Sequence, residues 1–318
     1  MTGALTKLFS KSFAIGFLLP AAAFLLAVFG ILYLYGLADP LLSMTKYKDE
    51  TAIQATLIFF VIWLCAVALL ALNRPIVRVL QGYGPFNPFR LKGNIATGAY
   101  RKLNDKIATS REAISGAKKQ KRDVDSKHSR TYADSLWKMA HEFPDEEATV
   151  LPTRFGNTIR AFEVYSRVIY GIESVYGWSR LMGVVPADYR EMMETEKAQM
   201  DFWVNLWFTS CLTVVLYVAM GIARAAWPQP WIPFAAIVLA FLTAHSARSV
   251  AQSWGAMVTG AFDLYRPDLC RKLGFRLPAS IEEERTMWQC MSQVWVYRSA
   301  EAAERLNKYR LPEDQPHG

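Results

Sequence analysis

The residues of this sequence with the clearest chemical potential lie in one stretch, VLPTRFGNTIRAFEVYSRVIYGIESVYGWSRLMGVVP, from Val150 to Pro186. Arg154, Asn157 and Arg160 place side-chain donors at the start of a predicted helix. The helix dipole and the free amides of a first turn already favour negative charge there, so a phosphate or a carboxylate could bind. The same residues also carry a purely structural reading. Thr153 or Asn157 can cap the helix, and Arg160, Glu163 and Arg167 follow at three- and four-residue spacing, so Glu163 can bridge two arginines. Tyr165, Tyr170, Tyr176 and Trp178 add large amphipathic rings, which suit a core, a membrane interface or a partner interface equally well. The candidate anion- or partner-binding residues are therefore Arg154, Asn157, Arg160, Glu163, Tyr170, Trp178 and Arg180.

Other chemistries find less support. No Gly-rich phosphate loop, nucleophile elbow, HExxH or paired-carboxylate motif occurs, so no catalytic residue is named and an enzyme is the least supported class. The four histidines, His128, His141, His245 and His317, are too scattered for ligand spacing, and Cys65, Cys211, Cys270 and Cys290 contain no CxxC pair. Neither a zinc site nor a disulfide framework is indicated, and no cofactor is expected. The basic run KKQKRDVDSKHSR, Lys118 to Arg130, reads as a solvated helix face or a linker, with attraction to anionic lipid as the sharper alternative. Aspartates interrupt it and no aromatics interleave it, so nucleic acid is not an expected partner.

The elements that must position these residues follow from hydropathy. The chain has 318 residues, 52% hydrophobic, with a net charge of +8. Its apolar residues gather in four runs: Ser12 to Gly36, Ala52 to Leu72, Phe202 to Ala226, and Trp231 to about Ser246. A bilayer core of roughly 30 Å needs about 20 apolar residues as a helix, because only a helix satisfies its own backbone in lipid. The first three runs meet that length. The fourth is shorter, with Pro230 and Pro233 at its start, but the turn Arg224-Ala-Ala-Trp-Pro-Gln-Pro-Trp makes it the return partner of the third. The first run follows Lys7 and Lys11 like a secretory signal, yet it is longer than a signal core, which predicts an uncleaved anchor. Pro20 should kink it, and a neighbour must then satisfy the carbonyl that the proline frees.

Between Arg74 and Arg130 there are 14 basic residues against 4 acidic, which places that stretch in the cytoplasm. Four spans starting inside then return the tail inside, so both termini are expected in the cytoplasm. The predicted organisation is a first transmembrane hairpin (1–80), a cytoplasmic helical region (81–200), a second hairpin (201–248) and a cytoplasmic tail (249–318) packed on 81–200. Within the tail, Ser280 and Glu283 form a capping box opening a helix that carries Met287, Met291, Val294, Trp295 and Ala302 on one face. A loose run is expected after Tyr309. In the region before it, Ile95, Ala99, Leu103, Ile107 and Ile114 mark one amphipathic helix, and Leu136, Met139, Ala140 and Phe143 mark the apolar side of another.

Four sets of residues also resemble a segment shared by a group of bacterial multipass membrane proteins with no activity attached to them. These are the LPTR-x-GN sequence Leu151 to Asn157, Arg160 with Glu163, Tyr170-Gly171, and Trp178 to Leu181. The resemblance continues into the tail, where AFDLYRPDLCRKLGFRLPASIEEERTMW is similar to that group's F-D-x-x-R, Leu-Pro and E-R-x-x-W pattern. Ser179 departs from it, standing where the pattern has proline. The resemblance implies an all-α polytopic architecture in a bacterial inner membrane and no activity. The expected function is that of a membrane-anchored binding, scaffolding or sensing protein whose cytoplasmic domain recognises a protein, a lipid head group or a small anion. An oligomeric channel or transporter subunit is the alternative. The expected partners are the bilayer, a protein partner or further copies of the chain.

Overall fold

The computed structural model describes residues 10–38, 51–84, 89, 93–119 and 126–312. The acidic and basic residues of the first loop, the Pro85–Pro88 turn, the middle of the basic run and the chain after Pro312 lie outside the described residues. In chain order the helices are α1 (Lys11–Leu34), α2 (Thr51–Gln81), α3 (Gly93–Lys119), α4 (Ser126–Glu142), α5 (Arg154–Tyr170) and α6 (Ser174–Leu181). They continue with α7 (Ala187–Arg224), α8 (Trp231–Lys272), α9 (Ile281–Tyr297) and α10 (Ala300–Arg305). Among the described residues there is no strand, only an isolated bridge between Phe275 and Arg310. Helices α1, α2, α7 and α8 are long and apolar enough to cross a membrane, and on that ground the chain is an integral membrane protein. The chain forms two compact units, residues 1–84 with 194–251, and residues 85–193 with 252–318.

In the first unit, α1 passes through a π-helical turn at Ala14–Leu18 just before Pro20. Pro20 has no N–H to give the carbonyl of Gly16, four residues back. The Nδ2 of Asn205 on α7 donates to that carbonyl at 2.9 Å. Asp201, one turn before Asn205, is 5% exposed. It accepts from Lys197 Nζ at 2.7 Å on both carboxylate oxygens and from Asn73 Nδ2 of α2 at 3.1 Å. Farther along, Thr209 and Thr213 bond back to the carbonyls of Asn205 and Thr209, each at 2.9 Å. Hydroxyls satisfied within their own helix leave small buried side chains, which let transmembrane helices approach closely. A cleft of about 210 Å³ lies beside them, lined by Ala23, Phe24, Ala27, Thr209 and Ser210 among others. The hairpin from α7 to α8 is tight, with Ala225 and Gln229 in the left-handed region, and the Trp227 ring packs against Gly221 where a Cβ would have no room. Trp227 and Trp231 are exposed, as rings at a membrane face are. Pro233 falls in the first turn of α8, where its missing N–H has no intrahelical partner to lose.

The second unit has a core of its own. Tyr170, Ile172, Leu181 and Val185 from the central segment are buried with Val258, Phe262 and Leu269 of α8 and with Met287, Trp288 and Met291 of α9. Several local expectations change here. The buried side of α4 carries Ser135 with half-buried Tyr132 and Met139, and half-buried Phe143 follows just past its end, while Leu136 and Ala140 face outward, and Ile95 and Ala99 of α3 are exposed too. The final helix is two helices. Arg298 takes a left-handed conformation and Ser299 caps a new start by accepting from Ala302 N, so Ala302 belongs to α10. The Ser280 cap forms at 3.1 Å, but the Glu283 carboxylate faces Lys308 Nζ at 3.5 Å. The chain past Tyr309 is held as far as Leu311, whose N–H donates to Gly274 O at 2.9 Å, because the bridge to Phe275 gives it backbone partners.

Candidate functional site

Helix α5 begins where Thr153 accepts from the amide of Gly156 at 2.9 Å, so Thr153 is the cap. Asn157 has a different task. Its Oδ1 accepts from Leu151 N at 2.6 Å and its Nδ2 donates to Leu151 O at 2.9 Å, which clamps the preceding loop onto the helix. Arg154 is exposed and has no hydrogen-bond or ion-pair partner among the described residues. Arg160 pairs with Glu163 at 3.4 Å, but its Nε is buried without a partner. The expected double bridge does not form, since Arg167 turns to Asp145 at 3.2 Å. Arg167 lies a full turn beyond Glu163 on the side where the Pro144–Glu146 loop passes, and that loop supplies the nearer carboxylate. Burial pushes the Glu163 carboxyl above its usual range, and the Arg160 guanidinium only partly opposes that.

The C-terminal end of α5 carries a denser arrangement. The phenols of Tyr165 and Tyr170 both donate to the Asp263 carboxylate, at 2.9 and 2.7 Å. Burial first, and then this hydrogen bonding, raises both phenols above their ordinary range, so they stay protonated donors. Pro267, inside α8, has no N–H for the Asp263 carbonyl four residues back, and a guanidinium N–H of Arg266 donates to that carbonyl instead. The same guanidinium holds Glu284 of α9 through Nε at 2.7 Å and lies 4.0 Å over the Tyr170 ring. Trp288 Nε1 donates to the same Glu284 oxygen at 3.3 Å. Arg266 is the ion-pair partner of Glu284 and the two phenols serve Asp263, so each charged group here has hydrogen-bonding partners, as a buried network requires.

Gly171 lets α9 come close enough to build it. Its φ is 81°, and a Cβ there would stand 2.8 Å from the carbonyl oxygen of Arg285. Ser292 of α9 donates to Gly171 O and accepts from Glu173 N, both at 3.0 Å. Trp178 packs on Phe262 with ring centres 6.1 Å apart, and the Arg180 guanidinium sits 4.6 Å over the Trp295 ring while donating to Tyr176 O.

The seven candidate residues therefore separate into three groups. Arg154, Asn157, Arg160 and Glu163 stay together at the start of α5, Tyr170 joins the Asp263 network, and Trp178 with Arg180 meets Phe262 and Trp295. Sequence reasoning did not assign Asp263, Arg266, Glu284 and Trp288 to a site. Their signal was present as the F-D-x-x-R and E-R-x-x-W patterns, in which charged residues interrupt apolar periodicity. The Asp263 network engages its carboxylates and its guanidinium with groups of the chain itself, a brace between central segment and tail. The α5 start keeps donors unspent. Among the described residues no group of three or more His, Cys, Asp or Glu side chains could hold a metal. Fold and site define an all-helical membrane protein carrying a second helical unit with a buried polar brace. No family model, no curated protein and no solved structure matches the chain.

Proposed function

We propose that the protein is a membrane-anchored binding, scaffolding or sensing protein of a bacterial inner membrane. Its second unit lies in the cytoplasm with both termini and recognises a partner group rich in acceptor oxygens. That group is a small anion, a lipid head group or a carboxylate of a protein partner. The observation that carries this reading is the start of α5, where Arg154 is exposed and unpaired and the buried Nε of Arg160 lacks an acceptor. A guanidinium grips two oxygens at once, which an ammonium does not. The basic bias of residues 74–130 supports the orientation. Exposed Val175 and Tyr176 on α6 offer apolar area for a protein partner.

Recovery of partners and lipids from native membranes by the full chain tests this, with Arg154→Lys as the decisive variant. The expected result is lost recovery at unchanged abundance and melting temperature. Equal losses of abundance and melting temperature in Arg160→Gln and Glu163→Gln, with recovery by Arg154→Lys intact, would mean that the arginines only brace the helix. The alternative, an oligomeric channel or transporter subunit, draws on the buried polar side chains of α7. A selective flux in reconstituted vesicles, abolished by substitution in α7, would favour it. Reporters near Met44, near Ser126 and after Gly318 check the orientation, and opposite sides for the last two would overturn it.

A further inference from the structure

Helix α4 is apolar on two sides. One side packs against α3, with half-buried Tyr132 and Met139 beside buried Ser135, and just past its end the Phe143 ring meets Tyr100 with centres 5.7 Å apart. The other side carries Ala133, Leu136, Trp137 and Ala140, all exposed, Leu136 at 41% and Trp137 at 52%. These four span about 100° of the helix circumference at 3.6 residues per turn, so they form one strip. The His141 ring stacks on the Trp137 ring with centres 4.7 Å apart, and its Nδ1 donates to the Trp137 carbonyl at 2.8 Å, which holds the indole in place at the surface. Arg130, two turns before Trp137, shares its side of the helix, and Lys138 borders the strip. Both are exposed, and among the described residues neither makes a hydrogen bond or an ion pair. Asp134 is the acid on that side.

The charge of the second unit gathers in the same part of the chain. Residues 85–142 hold 13 basic against 6 acidic side chains, while the rest of the unit holds 14 against 16. An apolar strip with an indole, bordered by unpaired cations, matches the anionic surface of a bilayer, where tryptophan rests at head-group level and each lysine or arginine strengthens binding. A second copy of α4 would instead set like charges against each other. The four spans also tether the chain to lipid, which puts that surface at high effective concentration. We propose that the outer face of α4, Leu136 and Trp137 with Arg130 and Lys138, docks on an anionic phospholipid surface. This contact uses no residue of the α5 start and does not rest on the partner-binding reading.

Full-length protein is reconstituted in vesicles of phosphatidylcholine alone and in vesicles of equal parts phosphatidylcholine and phosphatidylglycerol. Both leaflets have the same composition, so the result does not depend on the orientation of the chain. Amide hydrogen exchange is followed in peptides covering 126–142, with 281–297 of α9 as the internal reference. Exchange across 126–142 slows in the mixed vesicles relative to the reference, and high salt removes the difference. Each cation near an anionic surface strengthens binding about fivefold, so Arg130→Gln/Lys138→Gln weakens docking about 25-fold and abolishes most of the slowing. Leu136→Ser/Trp137→Ser abolishes it as well, and both variants keep the abundance of wild type because the side chains are exposed. Arg154→Lys leaves the slowing intact. Equal exchange in the two kinds of vesicle would overturn the proposal. So would slowing that follows protein density and not phosphatidylglycerol, which would assign the face to another copy of the chain.

Discussion

Replacing Gly171 with alanine should destabilise the second unit more than the same change at Gly274, and the difference measures how closely α9 approaches α5. Both glycines adopt nearly the same left-handed backbone, φ 81° and 83°. An alanine at either pays about 1–2 kcal/mol for that conformation. They differ in their surroundings: a Cβ on Gly274 meets nothing within 4 Å, while one on Gly171 meets Arg285 O and Gln289 Cγ at 2.8 Å each. The first of those atoms is backbone in a packed helix and moves only if α9 moves, which adds the overpacking cost of about 1–3 kcal/mol. Gly171→Ala should therefore cost roughly 2–5 kcal/mol. In a domain of this size each kcal/mol lowers the melting temperature by about 2–4 °C. Cys270 and Cys290 are buried free thiols in this unit, so their labelling by a maleimide dye during heating reports its opening. Equal shifts for the two variants would refute the reasoning, since they would mean that α9 does not press on Gly171.

Three further outcomes follow from the side-chain geometry. Asn205→Ala should lower stability by about 1 kcal/mol, and by clearly less in a Pro20→Ala background, where a restored backbone N–H serves Gly16 O; additive losses in the double-mutant cycle would contradict this. Arg266→Met should destabilise by about 3–5 kcal/mol because Glu284 is left buried and uncompensated, whereas Arg154→Met should be near neutral, as thiol-labelling melts of the two will show. The raised phenols give a pH signature: folded Tyr165 and Tyr170 keep their protons above pH 10, where the unfolded chain releases them, so their stabilisation is complete below 10 and falls as pH rises further. Tyr165→Phe/Tyr170→Phe should flatten the alkaline fall in melting temperature, and an unchanged slope would count against the Asp263 network.

The sequence by itself determined the helical character and the four long apolar helices, because lipid leaves an apolar run of about 20 residues no other way to satisfy its backbone. It also marked helix starts whose chemistry is local, such as the Ser280 cap and the α5 cap, where Thr153 or Asn157 remained open. Arrangements that depend on distant partners were decided only by tertiary structure. Asn157 was taken up by the Leu151 backbone, leaving Thr153 as the cap. Arg167 found Asp145, 22 residues earlier, in place of Glu163. Pro20 announced a freed carbonyl, but only the packing of α1 on α7 named Asn205, 189 residues from Gly16, as its donor. Tyr165 and Tyr170 looked like core rings, and their acceptor Asp263 lies 98 and 93 residues away, beyond the second hairpin. Spacing along a helix fixes which residues share a face, because the backbone sets it. Which carboxylate a donor reaches is fixed by the burial of whole faces against one another, and one residue's neighbours along the chain do not encode that.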